Sequence, residues 1–217
     1  MDRRTRPCDH RGDGHRSARI AAHTRRRQRC RSTASLFRQP YLQGECFAGA
    51  YFDNWARRSD EANRFTADDL VAVTFLSVRV PPLAARALLD THADRYAALL
   101  AQIGPDRDLA DEPQAPTPAW PAWQFGDELR ALPRIGRTTA SKLLARKRPR
   151  LLPIWDTVVA GVFGTRDDHL VPVWAALRRN DNQLSHRLRT IRGVAGLPEE
   201  ISLLRVLDVI AWMERQA

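Results

Sequence analysis

Five prolines fall between residues 104 and 122, namely Pro105, Pro113, Pro116, Pro118 and Pro121. Each fixes φ and removes a backbone donor, so neither a helix interior nor a central strand can run through this segment. Regular structure must lie on either side of it. On both sides apolar residues recur at helical spacing, and no convincing apolar–polar alternation suggests a strand. The expected fold is a single all-α domain over 36–217, with two lobes divided near 104–122.

Local signals place the helices. Phe47, Ala50, Tyr51 and Trp55 can share one face of a first helix ending near Arg58. Thr66 followed by Asp69 reads as an N-cap with an acidic first turn. The run LVAVTFLSV over 70–78 then reads as a central core helix, although its valines would also suit a buried strand. Pro81 and Pro82 end that run and can open the next helix, because proline lacks only an amide hydrogen that is unpaired there anyway. One or two helices are expected over 83–103. Others are expected at about 124–131, 138–147, 156–163, 169–179, 183–192 and 199–215. The last segment, ISLLRVLDVIAWMERQA, is apolar around most of its circumference and so predicts a helix buried in the core.

The formal net charge is +10, but it is unevenly placed. Residues 1–34 hold 11 Arg against 3 Asp, while 35–217 net only +2. The opening stretch has too few apolar residues to offset its ordering entropy, so residues 1–35 are expected to be a disordered basic tail. Two readings of it stay open: an electrostatic DNA tether, or translated upstream sequence with the start nearer Leu36. Cys8, His10, His15, His23 and Cys30 match no paired zinc-ligand spacing, and no metal or other cofactor is expected. Cys8, Cys30 and Cys46 are odd in number and build no disulfide framework. With no apolar run of about 20 residues to span a bilayer, a cytoplasmic setting is expected.

Within 35–217 the positive charge is focused. Arg130, Arg134, Arg137, Lys142, Arg146, Lys147, Arg148 and Arg150 lie in 21 residues without an acidic one, so the rest of that region sums to −6. A phosphate-binding footprint has this form. Solvated complements to a helix C-terminus would explain Arg146 to Arg150, but not the three arginines upstream.

This cluster surrounds Leu132-Pro133-Arg134-Ile135-Gly136-Arg137-Thr138-Thr139-Ala140, which resembles the helix-hairpin-helix motif, usually Leu-Pro-Gly-hydrophobic-Gly, two residues, then Thr-Ala. The resemblance sets a hairpin at about 124–147 whose amides and following helix N-terminus face a DNA phosphate. It implies duplex DNA as partner and Arg134, Ile135, Gly136, Arg137, Thr138, Thr139, Lys142, Arg146 and Arg148 as the contacting set. Arg134 departs from the pattern, standing where the first glycine is usual.

Downstream, Pro153-Ile154-Trp155-Asp156-Thr157-Val158-Val159 resembles the Val-Asp-Thr-His-Val segment of the helix-hairpin-helix DNA base-excision glycosylases. Leu76-Ser77-Val78-Arg79 is similar to the Leu-Ser-Ala-Gln start of their DNA-bordering helix. The resemblance covers about 66–165, with 132–159 its specific part. It implies a two-lobed glycosylase-type fold with Asp156 as catalytic carboxylate, able to stabilise an oxocarbenium-like state or activate water. Asp156 also reads as an ordinary N-cap. Thr138 stands where bifunctional members carry lysine, so no Schiff base forms through that position and a monofunctional enzyme is implied. No cysteine lies in the C-terminal region, so no iron–sulfur cluster is implied.

A base pocket could draw on Arg79, Trp123 and Trp155, with Trp120 and Phe125 nearby, although aromatic residues there also suit a core. Arg79 alternatively reads as a solvated helix-end residue. His169 and His186 belong to no recognisable pattern. The alternatives to a glycosylase are a non-catalytic DNA-binding relative and a protein-interaction module that kept the fold. The chain as a whole also resembles an uncharacterised bacterial family, which implies no activity.

Overall fold

A computed structural model describes residues 48–56, 60–165 and 169–214. The whole of the basic tail, Phe47 and the candidate tail ligands lie outside these residues. Among them the regular structure is entirely helical. After a 3₁₀ turn at Ala48–Ala50 come α1 (Tyr51–Asn54), α2 (Ala67–Thr74), α3 (Pro82–Arg86), a π-helical turn (Ala87–Thr91) and α4 (Ala93–Ile103). A second 3₁₀ turn (Leu109–Asp111) precedes α5 (Pro121–Ala131), α6 (Arg137–Lys147), α7 (Thr157–Phe163), α8 (Leu170–Val194) and α9 (Leu203–Glu214). No helix among the described residues is long and apolar enough to cross a membrane.

The punctuation signals act where the sequence places them. Thr66 and Asp69 form a reciprocal capping box on α2, with the Thr66 amide donating to Asp69 Oδ2 at 3.0 Å. Pro82 opens α3. The apolar run 70–78, however, is helical only to Thr74, and Ser77 turns into the left-handed region at φ +60°. Ala72 and Val73 enter the core, while Val71 stays 39% exposed. The first helix is also shorter and differently faced than expected. It buries Phe52 and Asp53, whereas the exposed Tyr51 and Trp55 rings pack on Phe75 at 5.4 and 5.3 Å. Asp53 turns inward because a buried cation, Arg205, meets it at 2.9 Å.

Helices α5 and α6 pack on each other, α2 on α6, and α9 on α7 and α8. One hydrophobic cluster extends from Phe52 to Met213 and includes side chains from both sides of the proline-rich linker. The linker is itself fastened down. Leu109 is buried and its amide donates to the Arg150 carbonyl, while Trp174 and Arg178 of α8 donate to carbonyls of Ala110 and Glu112. Helix α8 contains a break at Arg179–Asn182, with Asn180, Asp181 and Asn182 all at positive φ, where asparagine and aspartate cost least among non-glycine residues. The two expected segments thus join across a sharp kink. The last helix is buried as its composition requires.

Candidate functional site

The turn joining α5 to α6 is built from Leu132 to Gly136. The Ile135 amide closes it on the Leu132 carbonyl at 3.1 Å, and the Ile135 side chain is buried. Arg134 sits at φ +62°, the left-handed conformation in which glycine alone escapes a Cβ penalty. The departure from the motif therefore leaves the turn geometry standing at a cost in strain. Replacing Arg134 by glycine is expected to raise stability by a few tenths to about 1 kcal/mol in urea titrations, the relieved strain outweighing the added unfolded-chain entropy. A fall in stability would show that the arginine side chain compensates for the strain.

Gly136 is the N-cap of α6, extended at φ −86° and ψ 175°, and no side chain caps the helix. A Cβ placed on Gly136 would meet nothing within 4 Å. Gly136 and the neighbouring Arg134 are exposed, while Arg137, Thr138 and Thr139 of the first turn are half-buried.

The other end of the basic cluster does something else, and two expected DNA contacts are corrected here. Arg146 and Arg148 are buried, as is Lys147 between them. Arg146 binds Asp69 Oδ1 at 3.0 Å and the carbonyls of Phe52 and Trp55. Arg148 donates to the carbonyls of Ala62, Gly104 and Leu100 and to Asn63. Lys147 pairs with Asp69 and reaches the Glu61 carbonyl. Their donors are engaged by oxygens of the 52–69 and 100–104 segments, so they tie the end of α6 to those segments and are not a solvated phosphate-facing row. Arg130 and Arg150 pair at the surface with Asp127 and Asp108.

Lys142 is a third correction, since it too is buried, but it points into a cavity. That cavity, of about 370 Å³, is bordered by Phe75, Leu76 and Ser77, by Thr138 and Lys142 one turn apart on α6, by Asp156, and by Arg205, Asp208 and Trp212 of α9. Lys142 Nζ lies 2.8 Å from the Leu76 carbonyl and 3.3 Å from Asp156 Oδ2. The other Asp156 oxygen accepts the Val158 amide at 2.8 Å, capping α7. Asp156 is thus both an N-cap and a carboxylate on a cavity wall. Beneath it Arg205 bridges Asp53 and Asp208 and donates to the Gly49 carbonyl.

These α9 charges were not singled out by sequence reasoning. The available signal was Arg205 and Asp208 three residues apart in a helix already expected to be surrounded by core, where charges must find partners. Burial pushes the Asp208 carboxyl above its ordinary range, against the opposing pull of Arg205.

Burial likewise pushes the Lys142 ammonium below 10.5, against the pull of Asp156. Between that lowered folded value and 10.5 the unfolded chain binds more protons at this site, so its contribution to stability rises with pH across the window. The stability of the wild type relative to Lys142→Met should accordingly increase in urea titrations as the pH is raised toward 10.5. A flat difference would mean that Lys142 carries no folding-linked proton.

The aromatic candidates lie elsewhere. Trp123 and Trp155 border a separate cavity of about 340 Å³ with Asp127, Arg137, Ser141 and His169. Residues 153–156 explain the separation, because Pro153 and Trp155 face this second cavity while Ile154 and Asp156 face the first. Successive side chains of extended backbone point to opposite sides. Phe125 is fully buried core and Trp120 packs against that core. Arg79 is exposed and borders neither cavity. Among the described residues no group of three or more His, Cys, Asp or Glu side chains is placed to hold a metal ion.

Fold and site together define an all-helical protein with an uncapped hairpin helix beside a cavity that holds a carboxylate and an amine. The chain belongs to the family of unknown function DUF6308, whose model matches residues 32–215. No curated protein and no solved structure matches it.

Proposed function

We propose that the protein binds duplex DNA through the 132–139 hairpin and accepts an extrahelical nucleotide in the Asp156 cavity as a monofunctional base-excision glycosylase. The observation that carries this reading is spatial: the uncapped first turn of α6 contains Thr138, which also borders the cavity where Asp156 stands. A phosphate held by the Arg137 to Thr139 amides would leave its nucleotide next to that carboxylate. Asp156 would stabilise positive charge developing on the sugar as the base departs. Such a role belongs in the cytoplasm, with the chromosome.

One observation favours a second reading, a non-catalytic DNA-binding relative. Asp156 is engaged by both Lys142 and the Val158 amide, which lessens the charge it offers a sugar.

Gly136→Asp tests the DNA contact without harming the fold. Aspartate is a good N-cap and the position is open, so the helix should be as stable as before or more so, while its carboxylate repels phosphate. Affinity for a duplex with a stable abasic-site analogue should fall by about tenfold or more, with a shallower salt dependence. Unchanged affinity and slope would remove the hairpin from the DNA contact.

A further inference from the structure

Two carboxyl groups border the cavity beside the hairpin helix, and only one of them takes part in the chemistry above. Asp156, at the start of α7, is held by a cation and an amide. Asp208, on α9, borders the same cavity, and its side chain keeps 11% of its surface. One Asp208 oxygen, Oδ2, accepts from Arg205. The other, Oδ1, accepts nothing from the described residues and is not sealed from solvent. Trp212, one turn further along α9, adds an apolar wall at the same cavity.

Two carboxyls in one site divide into an acid and a charged partner when their surroundings differ. Here they differ. Asp156 has the Lys142 ammonium at 3.3 Å and the Val158 amide at 2.8 Å. Asp208 shares its cation, because Arg205 also donates to Asp53 at 2.9 Å and to the Gly49 carbonyl at 2.8 Å. Burial is the largest influence on Asp208 and favours the neutral acid, as does the Asp156 charge, while Arg205 and Lys142 favour the ion. With Oδ2 turned to a guanidinium, which can only donate, a proton on this carboxyl sits on the unbonded Oδ1.

A neutral purine is a poor leaving group unless one of its ring nitrogens takes a proton as the glycosidic bond breaks, and a placed general acid speeds such a step by roughly 10²–10⁴-fold. A purine alkylated at that nitrogen is already cationic and leaves without the proton. A pyrimidine offers only carbonyl oxygens, which are weaker bases.

We infer that Asp208 is the general acid of this cavity and that the nucleotide it serves carries a neutral purine. The inference rests on the base-excision reading above. The glycosidic bond breaks with its electron pair passing to the base, while the Oδ1 proton of Asp208 moves to a purine ring nitrogen. Asp156 faces the positive charge left on the sugar. Water adds to the sugar carbon and releases a proton to solvent, from which Asp208 is reprotonated. The sum is hydrolysis of one glycosidic bond.

The proton is read on the full-length protein labelled with carbon-13 at the aspartate carboxyls, with Asp208→Asn identifying the signal by its loss. At pH 7 that signal is expected at the position of a carboxylic acid, moving to that of a carboxylate as the pH is raised. A carboxylate signal at pH 7 overturns the inference. Base release is then followed from one duplex containing hypoxanthine, a neutral purine, and from another containing 7-methylguanine, a cationic one. In the wild type, hypoxanthine release should fall relative to 7-methylguanine release as the pH is raised. In Asp208→Asn, hypoxanthine release should drop by about a hundredfold or more and 7-methylguanine release by under about tenfold. A constant ratio of the two rates across pH, or equal losses in the variant, overturns the acid role. Release of other damaged bases but not of hypoxanthine overturns the purine assignment and leaves the Asp156 reading standing. Release of no base from any duplex overturns that reading, and this acid with it.

Discussion

Asp69→Ala is expected to destabilise the protein by about 3–5 kcal/mol, a large part of the roughly 5–15 kcal/mol that holds a domain of this size together. The carboxylate is buried and takes Arg146 on one oxygen and Lys147 on the other. It also closes the capping box on α2. Removing it leaves two buried cations without that counter-charge. Urea titration with a far-ultraviolet helical signal measures the loss directly. A change below about 1 kcal/mol would show that these charges are hydrated and that the pairing has the small worth of a surface ion pair. The contrasting control is Asp108→Ala, whose partner Arg150 is half exposed and which should cost under about 1 kcal/mol.

Asp156→Asn should abolish base release, by at least about a hundredfold, while leaving duplex affinity close to wild type and lowering stability, because the buried Lys142 loses its carboxylate partner. The asparagine side-chain oxygen can still accept the Val158 amide, so the start of α7 is preserved. What disappears is the negative charge facing the cavity. Single-turnover base release from a panel of duplexes, each with one damaged base, supplies the measurement, with affinity and melting recorded on the same samples. Release by the variant at the wild-type rate would remove Asp156 from the chemistry. Release by neither protein, with affinity intact, would establish the non-catalytic reading. Strand scission coupled to release would make Lys142 the attacking amine, since Thr138 has none and Lys142 is the amine on the same cavity wall.

Elements announced by short-range chemistry were legible in the sequence. The Thr66–Asp69 cap, the proline start of α3, the interrupted linker and the buried last helix each depend on a few neighbouring residues, and each is present. The candidate site was legible only in part. Asp156 and Thr138 come together because residues 18 apart in sequence meet across one turn-and-helix unit. Trp155 and Asp156 are adjacent in sequence, yet extended backbone sends them into different cavities.

The basic cluster marks the boundary most sharply. Eight cations in 21 residues look like one surface in the sequence, because charge along a chain says nothing of which way each side chain turns. Helix α6 packs on α2 and α5, and its C-terminal half is enclosed by them. Arg146, Lys147 and Arg148 therefore meet carboxylate and carbonyl oxygens from residues 44 to 94 positions away in sequence, while Arg134 at the hairpin stays outside. Helicity, caps and breaks follow from neighbours within about four residues, which the chain carries wherever it goes. Whether a cation meets a phosphate or a buried carbonyl depends on what packs against its helix, and that is settled when distant segments close over it and exclude water.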